Sequence, residues 1–275
     1  MRVKGHKQIE FFFKKFLIPA KFHLIIRSNR AMKKAYLGEE EIEMKLLNTL
    51  CDPNKNSLDV GVFKGVYTYW MQKYSKHVYA FEPNPYSYNE IHRALTGNVT
   101  FYNKALSNKS GRAELKLPIR VNKTLSNYNE KYEMGLGTLN KKSYSNKFKV
   151  FNVETTAIDE LGLNSLGFIK IDVEGHELEV LKGAKETINK YKPNMIIEIE
   201  EQHSKNPIQF SLDQIINLGY MGYFIVRKNK KVVNIKNFER EKYHILGDSE
   251  YINNFIFLHK DNEINAKLSE TFEPY

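Results

Sequence analysis

A chain of 275 residues is long enough for one sizeable α/β domain with additions and short for two full domains. Hydrophobic residues make up 41% and no apolar run approaches the ~20 residues that cross a bilayer, which excludes a helical membrane span and predicts a globular protein. The net charge of +10 sits almost wholly in residues 1–38, where ten Lys/Arg face the single acid Glu10, so the body carries about +1 and its charge does not point to nucleic acid.

The lead segment also carries Phe11, Phe12, Phe13, Phe16, Phe22 and Ile25. A basic, aromatic extension of this kind suits peripheral contact with an anionic membrane surface, or a helical appendage packed on the main domain. One cysteine, Cys51, excludes an internal disulfide, and the start of the chain lacks an apolar leader with a small-residue cleavage site; both predict the reducing cytoplasm. Residues 39–50, opening on Glu39-Glu40-Glu41 and continuing with Ile42, Leu46, Leu47 and Leu50, predict a helix with acids on its first turn, where the helix dipole favours them.

The stretch Asp59-Val60-Gly61-Val62-Phe63-Lys64-Gly65-Val66-Tyr67 organises the rest of the chain. A buried strand ends near Val60 and a helix spans 66–74, so two glycines fall in the connection, where the backbone turns tightly and a ligand can approach main-chain N–H groups. G-x-x-x-G differs from the G-x-G-x-x-G of dinucleotide-binding folds, and Asp59 before it favours a ligand with cationic parts, such as the ammonium and sulfonium of S-adenosylmethionine. A second strand over 77–81 ends in Glu82, an acid placed to accept both hydroxyls of a ribose. Pro83-Asn84-Pro85 starts a helix to about Leu95, Gly97-Asn98 ends it, and 99–101 is a third strand leading to Asn103-Lys104-Ala105-Leu106.

Between 110 and 158 the alternation lapses. Residues 112–117 and 147–156 alternate like the strands of an inserted antiparallel ribbon, and 121–144, rich in Asn, Lys, Ser and Tyr with Gly135 and Gly137, predicts a mobile loop over the cofactor mouth. The pattern resumes with a strand over 168–172 that delivers Asp172, a helix over 177–190, a strand over 195–199, a helix over 211–218 and strands over 220–227, 231–235 and 251–258. Alternating strands and helices predict a mainly parallel sheet covered on both faces, with the ligand at the strands' carboxyl ends.

Taken in order, Leu58-Asp59-Val60-Gly61 with Tyr67-Thr68, Phe81-Glu82-Pro83-Asn84-Pro85, Asn103-Lys104-Ala105-Leu106-Ser107, Ala157-Ile158-Asp159-Glu160-Leu161 and Ile169-Lys170-Ile171-Asp172-Val173-Glu174-Gly175-His176-Glu177 with Leu181-Lys182-Gly183-Ala184 resemble the FkbM family of S-adenosylmethionine-dependent methyltransferases over about residues 40–205. The resemblance implies a class I methyltransferase fold, a Rossmann-like, mainly parallel seven-stranded sheet with its last strand antiparallel, and O-methylation of sugars, glycans or natural products. It places Asp59, Gly61, Phe63, Gly65, Tyr67, Thr68, Glu82, Pro83, Asn84, Asn103, Ala105, Leu106 and Asp172 at the cofactor; Val62-Phe63 departs from the family's Ala-Asn.

Alkylation of a hydroxyl by a sulfonium is an in-line displacement that needs alignment, exclusion of water and a proton acceptor. Asp172, Glu174 and His176, with Glu198 or Glu200 on the neighbouring strand end, supply candidates: Asp172 by topology, His176 by its ordinary pKa. Asp172 and Glu174 could instead cap the following helix, and His176 could be an exposed first-turn residue. The acids could also bind a divalent ion that polarises the acceptor, although no tight ligand spacing is present. Asn84-Pro85-Tyr86 resembles part of the box of amino-group DNA methyltransferases, but follows the second strand and lacks a proline, which disfavours nucleic acid as acceptor. A small molecule or glycan is the expected acceptor; the alternative is a methyltransferase-like scaffold without turnover that binds a partner through its basic lead.

Overall fold

The computed structural model describes residues 41–95, 97–124, 127–132, 135–139, 147–204 and 206–262, with the backbone alone for 120–124 and 127–132. The basic lead and its expected surface contact lie outside the described residues, as do 125–126, 133–134 and 140–144 of the expected loop. In chain order the strands are β1 (Asn56–Val60), β2 (His77–Phe81), β3 (Val99–Tyr102), β4 (Ala105–Leu106), β5 (Gly111–Thr124), β6 (Asn127–Tyr132), β7 (Phe148–Thr156), β8 (Phe168–Ile171), β9 (Asn194–Glu198), β10 (Tyr220–Val226), β11 (Lys231–Asn234) and β12 (Asn254–His259).

The main sheet runs β11-β10-β12-β9-β8-β1-β2-β3. Its centre is parallel, and β12 inserts antiparallel between β9 and β10. That is the expected sheet with one strand more than the seven anticipated: β11 turns back on β10 and pairs Lys231 with Val226 and Asn234 with Tyr223, satisfying an edge that would otherwise stand open. All five residues of β1 are buried, as a central parallel strand covered on both faces requires.

Successive residues of β8 feed opposite layers. Phe168 packs with Met44, Leu47, Leu50, Met71 and Ile256 on one face, and Ile169 with Val180, Leu212, Ile215 and Phe255 on the other. The first layer is covered by a 3-10 turn (Ile42–Leu46), α1 (Leu47–Leu50) and α2 (Val66–Tyr74). Among the described residues of the helix expected over 39–50, 42–46 form a 3-10 turn and 47–50 an α-helical turn, with Met44, Leu47 and Leu50 buried. Glu43, within the 3-10 turn, is buried.

After α3 (Pro85–Ile91), the helix expected over 177–190 is two: α4 (Glu177–Lys182) and α5 (Lys185–Tyr191). They part at Gly183, where an added Cβ would lie 2.0 Å from the Ser107 carbonyl oxygen, so the break admits the β4 turn. Asp159 accepts the N–H groups of Glu186 and Thr187 at 3.1 and 2.8 Å, which satisfies the first turn of α5 from outside the helix. The layer is completed by α6 (Ile208–Ile216), and α7 (Arg240–Tyr243) leads towards β12.

The inserted ribbon forms a second sheet, β4-β7-β5-β6, longer than expected. Where 121–144 reads as loop, β5 continues to Thr124 and returns as β6, a pairing made by backbone groups that polar side chains do not advertise. Residues 135–139 return over the main sheet, bridging Thr138 to Lys116. Because the β4 turn fills the space beside Gly183, we expect Gly183→Ala to lower stability by about 1–3 kcal/mol with an unchanged urea m-value, read by urea unfolding.

Candidate active site

The loop after β1 is held against the end of β8. Gly61, at φ +89, places its Cα where a Cβ would lie 1.8 Å from the Asp172 carbonyl oxygen, so only glycine permits this approach. Phe63 adopts φ +46 and donates its N–H to Glu82 Oε2 at 2.7 Å, while Asn84 N–H reaches Glu82 Oε1 at 2.8 Å. Asn103 Nδ2 donates to the Glu82 carbonyl at 2.8 Å and sets the same turn. Burial pushes the Glu82 carboxyl up to about 7 against the pull of the Phe63 and Asn84 N–H groups. Over these strand ends lies a cavity of about 260 Å³ whose walls include Phe81, Glu82, Leu106, Leu139, Asp172 and Glu198.

The acids on the far side converge on one amine. Lys170, 1% exposed in β8, places Nζ 3.6 Å from Asp172 and 4.0 Å from Glu198, and donates to Asn254 Oδ1 at 3.1 Å. Burial opposes its charge, but the surrounding carboxylates, Asp172 and Glu198 with Glu41 and Asp59, together outweigh burial and the net direction is upward. Glu198 stands well above the ordinary carboxyl range through burial and the neighbouring Asp172. Asn253 Nδ2 bridges Glu198 and Glu200 at 2.8 and 3.1 Å.

The turn after β8 carries the remaining candidates. Glu174 adopts φ +54, and Gly175 follows at φ +92. A left-handed setting costs a residue with a side chain about 1–2 kcal/mol, and here its neighbours enforce it. Thr138 Oγ1 donates to the Glu174 carbonyl at 2.7 Å, Gly175 N–H donates to Glu177 Oε1 at 2.8 Å, and the Glu174 carboxylate meets His203 Nδ1. His176 is the N-cap of α4 without a side-chain cap bond; its Nε2 lies 2.9 Å from Ser107 Oγ, and burial lowers its pKa. It is thus partly buried and held rather than an exposed first-turn residue, and neither Asp172 nor Glu174 caps α4.

Ten of the expected site residues border the cavity: Gly61, Phe63, Glu82, Pro83, Asn84, Ala105, Leu106, Asp172, Glu174 and His176. Asp59, Gly65, Tyr67 and Thr68 are buried off its lining, and the exposed Asn103 lies off it as well. Asp59, expected beside a cationic ligand, is 1% exposed, takes a hydrogen bond from Thr68 and is pushed by burial up to about 7; it braces the loop from beneath and does not border the cavity. Tyr67 lies under Lys170, with Nζ 4.9 Å from its ring centroid, and Gly65 faces Ile91 and Leu95. Asn84 caps α3 by accepting Tyr86 N–H at 3.0 Å. His203 was not anticipated; its signal was Glu200-x-x-His203 directly after a strand tip. Among the described residues no group of three or more His, Cys, Asp or Glu is arranged to hold a metal ion, and no helix is long and apolar enough to cross a membrane.

A sheet with one antiparallel strand inserted near its edge, and a cavity at the carboxyl ends of its central strands, defines the class I methyltransferase fold. The methyltransferase FkbM domain matches residues 59–225, and the chain belongs to that family. No curated protein matches the chain. Similar solved structures include a methyltransferase FkbM from Methylobacillus flagellatus KT, at 14% identity and TM-score 0.44, over 77% of this chain and 47% of that one. An rRNA methylase from Streptococcus thermophilus is similar at 11% identity and TM-score 0.45, over 80% and 94% of the two chains. An O-methyltransferase from Bacillus cereus in complex with SAH is similar at 13% identity and TM-score 0.41, over 91% and 96%. The chain therefore spans about half the length of the first of these.

Removing the buried amine leaves Asp172 and Glu198 facing each other without their counter-ion. We expect Lys170→Met to destabilise the fold by about 3–5 kcal/mol at pH 7. Urea unfolding at pH 7 and pH 5.5 checks this: the cost falls at the lower pH, because Glu198, held by burial well above the ordinary carboxyl range, takes up a proton and relieves the pair.

Proposed function

We propose that the protein is an S-adenosylmethionine-dependent O-methyltransferase whose acceptor is a hydroxyl of a sugar, glycan or natural product. The observation that carries this reading is the position of Glu82 across an apolar slot from Asp172 and Glu198. Each Glu82 oxygen already accepts one backbone N–H and retains a lone pair, so the carboxylate can accept a diol such as that of a ribose. Phe81, Ala105, Leu106, Leu115 and Leu139 offer the apolar surface that an adenine ring requires. Asp172, which borders the cavity where Asp59 does not, provides its negative side for a cationic amino-acid end, with the Glu198 carboxyl beside it as a hydrogen-bonding group. The cofactor, when bound, supplies a methyl group on an electron-poor sulfur.

The remaining tasks fall to the chain. Residues 135–139 close over the slot, with Leu139 on its wall and Gly135 against the Phe63 ring, which excludes water from the reacting atoms. His176 takes the acceptor's proton in this reading: burial holds it neutral at pH 7, Ser107 orients its Nε2, and its ring lines the cavity. Asp172 is engaged by Lys170 and serves as the fixed negative charge.

Calorimetry with S-adenosylhomocysteine and labelled methyl transfer to a panel of glycans and hydroxylated small molecules test the reading. Glu82→Ala is expected to weaken S-adenosylhomocysteine by about 1.5–3 kcal/mol. Glu82 takes up a proton as pH falls through about 7 and loses acceptor capacity, so wild-type affinity falls from pH 8 to pH 6 and the Glu82→Gln variant lacks that fall. Unchanged affinity in Glu82→Ala removes Glu82 from the site. His176→Gln is expected to lose about 10²–10⁴ in turnover while still binding S-adenosylhomocysteine; wild-type turnover in that variant removes His176 as the base.

A further inference from the structure

The contacts that set the Glu174 turn differ in what they hold. Thr138 and Glu177 secure its backbone, through the Glu174 carbonyl and the Gly175 N–H, whereas His203 meets the carboxylate itself. The opposite ring nitrogen, Nε2, lies 3.0 Å from Glu200 Oε2, and the ring is 5% exposed. His203 therefore ties the turn after β8 to the turn after β9, and Glu174, unlike Glu200, borders the cavity.

We propose that His203 is a positioning residue for methyl transfer, clamping the Glu174 carboxylate on the wall of the cofactor cavity by bridging it to Glu200; this rests on the reading of that cavity as the S-adenosylmethionine site. Ionised carboxylates only accept, so with both acids charged the ring that bonds them donates from both nitrogens, as an imidazolium; burial raises the Glu174 carboxyl, and the bond from His203 works against that rise. Burial opposes that charge, but Glu174 and Glu200 outweigh it and the ring's pKa stands at about 9. Glu200 is correspondingly held down at about 2: burial opposes this, and His203, Gln202 and Asn253 prevail.

The other charged groups around the ring leave this arrangement intact. Asp172 and Glu198 lie beyond the two partners and are engaged by Lys170. His244 bonds Ile252 and Glu201 through its two nitrogens, and burial lowers its pKa. Glu201 is paired with Arg240. Since the folded pKa of His203 is raised, the clamp is complete below the ordinary histidine range and is lost as pH rises through about 9. A neutral ring then donates to one carboxylate only, and Glu174 and Glu200 lose their shared counter-charge.

Calorimetry of S-adenosylhomocysteine binding to the full chain at pH 8 and pH 10, for wild type, His203→Gln and His203→Ala, tests the clamp below the melting temperature of each. Wild-type affinity is expected to fall about tenfold between the two pH values, the effect of losing one hydrogen bond to a charged group. His203→Gln is expected to be weak by a similar factor already at pH 8 and nearly flat to pH 10. A His203→Gln variant that matches wild type at both pH values, with only a lower melting temperature, overturns the role. If the variants do not fold, the ring resonances of wild-type His203 decide: protonation through pH 8 supports the clamp, and a midpoint near 6.5 overturns it. A wild type that binds no S-adenosylhomocysteine at either pH overturns the cofactor reading and the proposal with it, whereas wild-type binding beside an indifferent variant overturns His203 alone.

Discussion

The arrangement of this site depends on a single buried ammonium. Lys170 sits inside a central strand, where a charge is costly unless it is paired, and it is paired with the acids at the tips of two adjacent strands and with an amide from β12. Asp172 and Glu198 could not otherwise stand so close together beside a cavity, because each raises the cost of charging the other. The amine thus converts mutual repulsion into a fixed negative wall. Tyr67, beneath it, gives the charge the face of an aromatic ring instead of water.

From that amine outward, the cavity is assembled by segments that are distant in sequence and individually strained or crowded. Two non-glycine residues with left-handed backbones, Phe63 and Glu174, both border it. Each is held by a group from another segment: Phe63 by the carboxylate of Glu82, Glu174 by Thr138 and by His203. The inserted ribbon is part of the same assembly, since residues 135–139 reach back to Phe63 and Glu174. Local strain at the cavity is therefore carried by tertiary contacts, which is how a turn can keep a geometry that its own sequence disfavours.

This organisation divides the tasks of a methyltransferase site between two sides. The β2 tip offers hydrogen-bond acceptors to a polar ring, the β8 and β9 tips offer charge, and the apolar slot lies between them. His176 stands at the boundary, its Nε2 against Ser107 from the β4 turn. The same β4 turn presses on Gly183 and breaks the following helix, so the packing that splits α4 from α5 also orients the histidine.

Much of this was legible in the chain itself, for identifiable reasons. Strands β1, β2 and β8 and helix α2 announce themselves because short apolar runs end at glycine, proline or an acid, and those local signals do not depend on partners. Glu82 and Asp172 were recognisable as strand-tip acids, and the ordered motifs identified the family. What only the tertiary structure decided concerns side chains that stand alike at strand tips but face different ways. Asp59 and Asp172 both stand at the ends of central strands, yet Asp59 turns beneath its loop onto Thr68 while Asp172 reaches the cavity. The split of the helix at Gly183, the β5–β6 hairpin and the bridge from Glu174 through His203 to Glu200 likewise arise from contacts across the chain, 76 residues apart for Ser107 and Gly183, whose geometry no local pattern encodes.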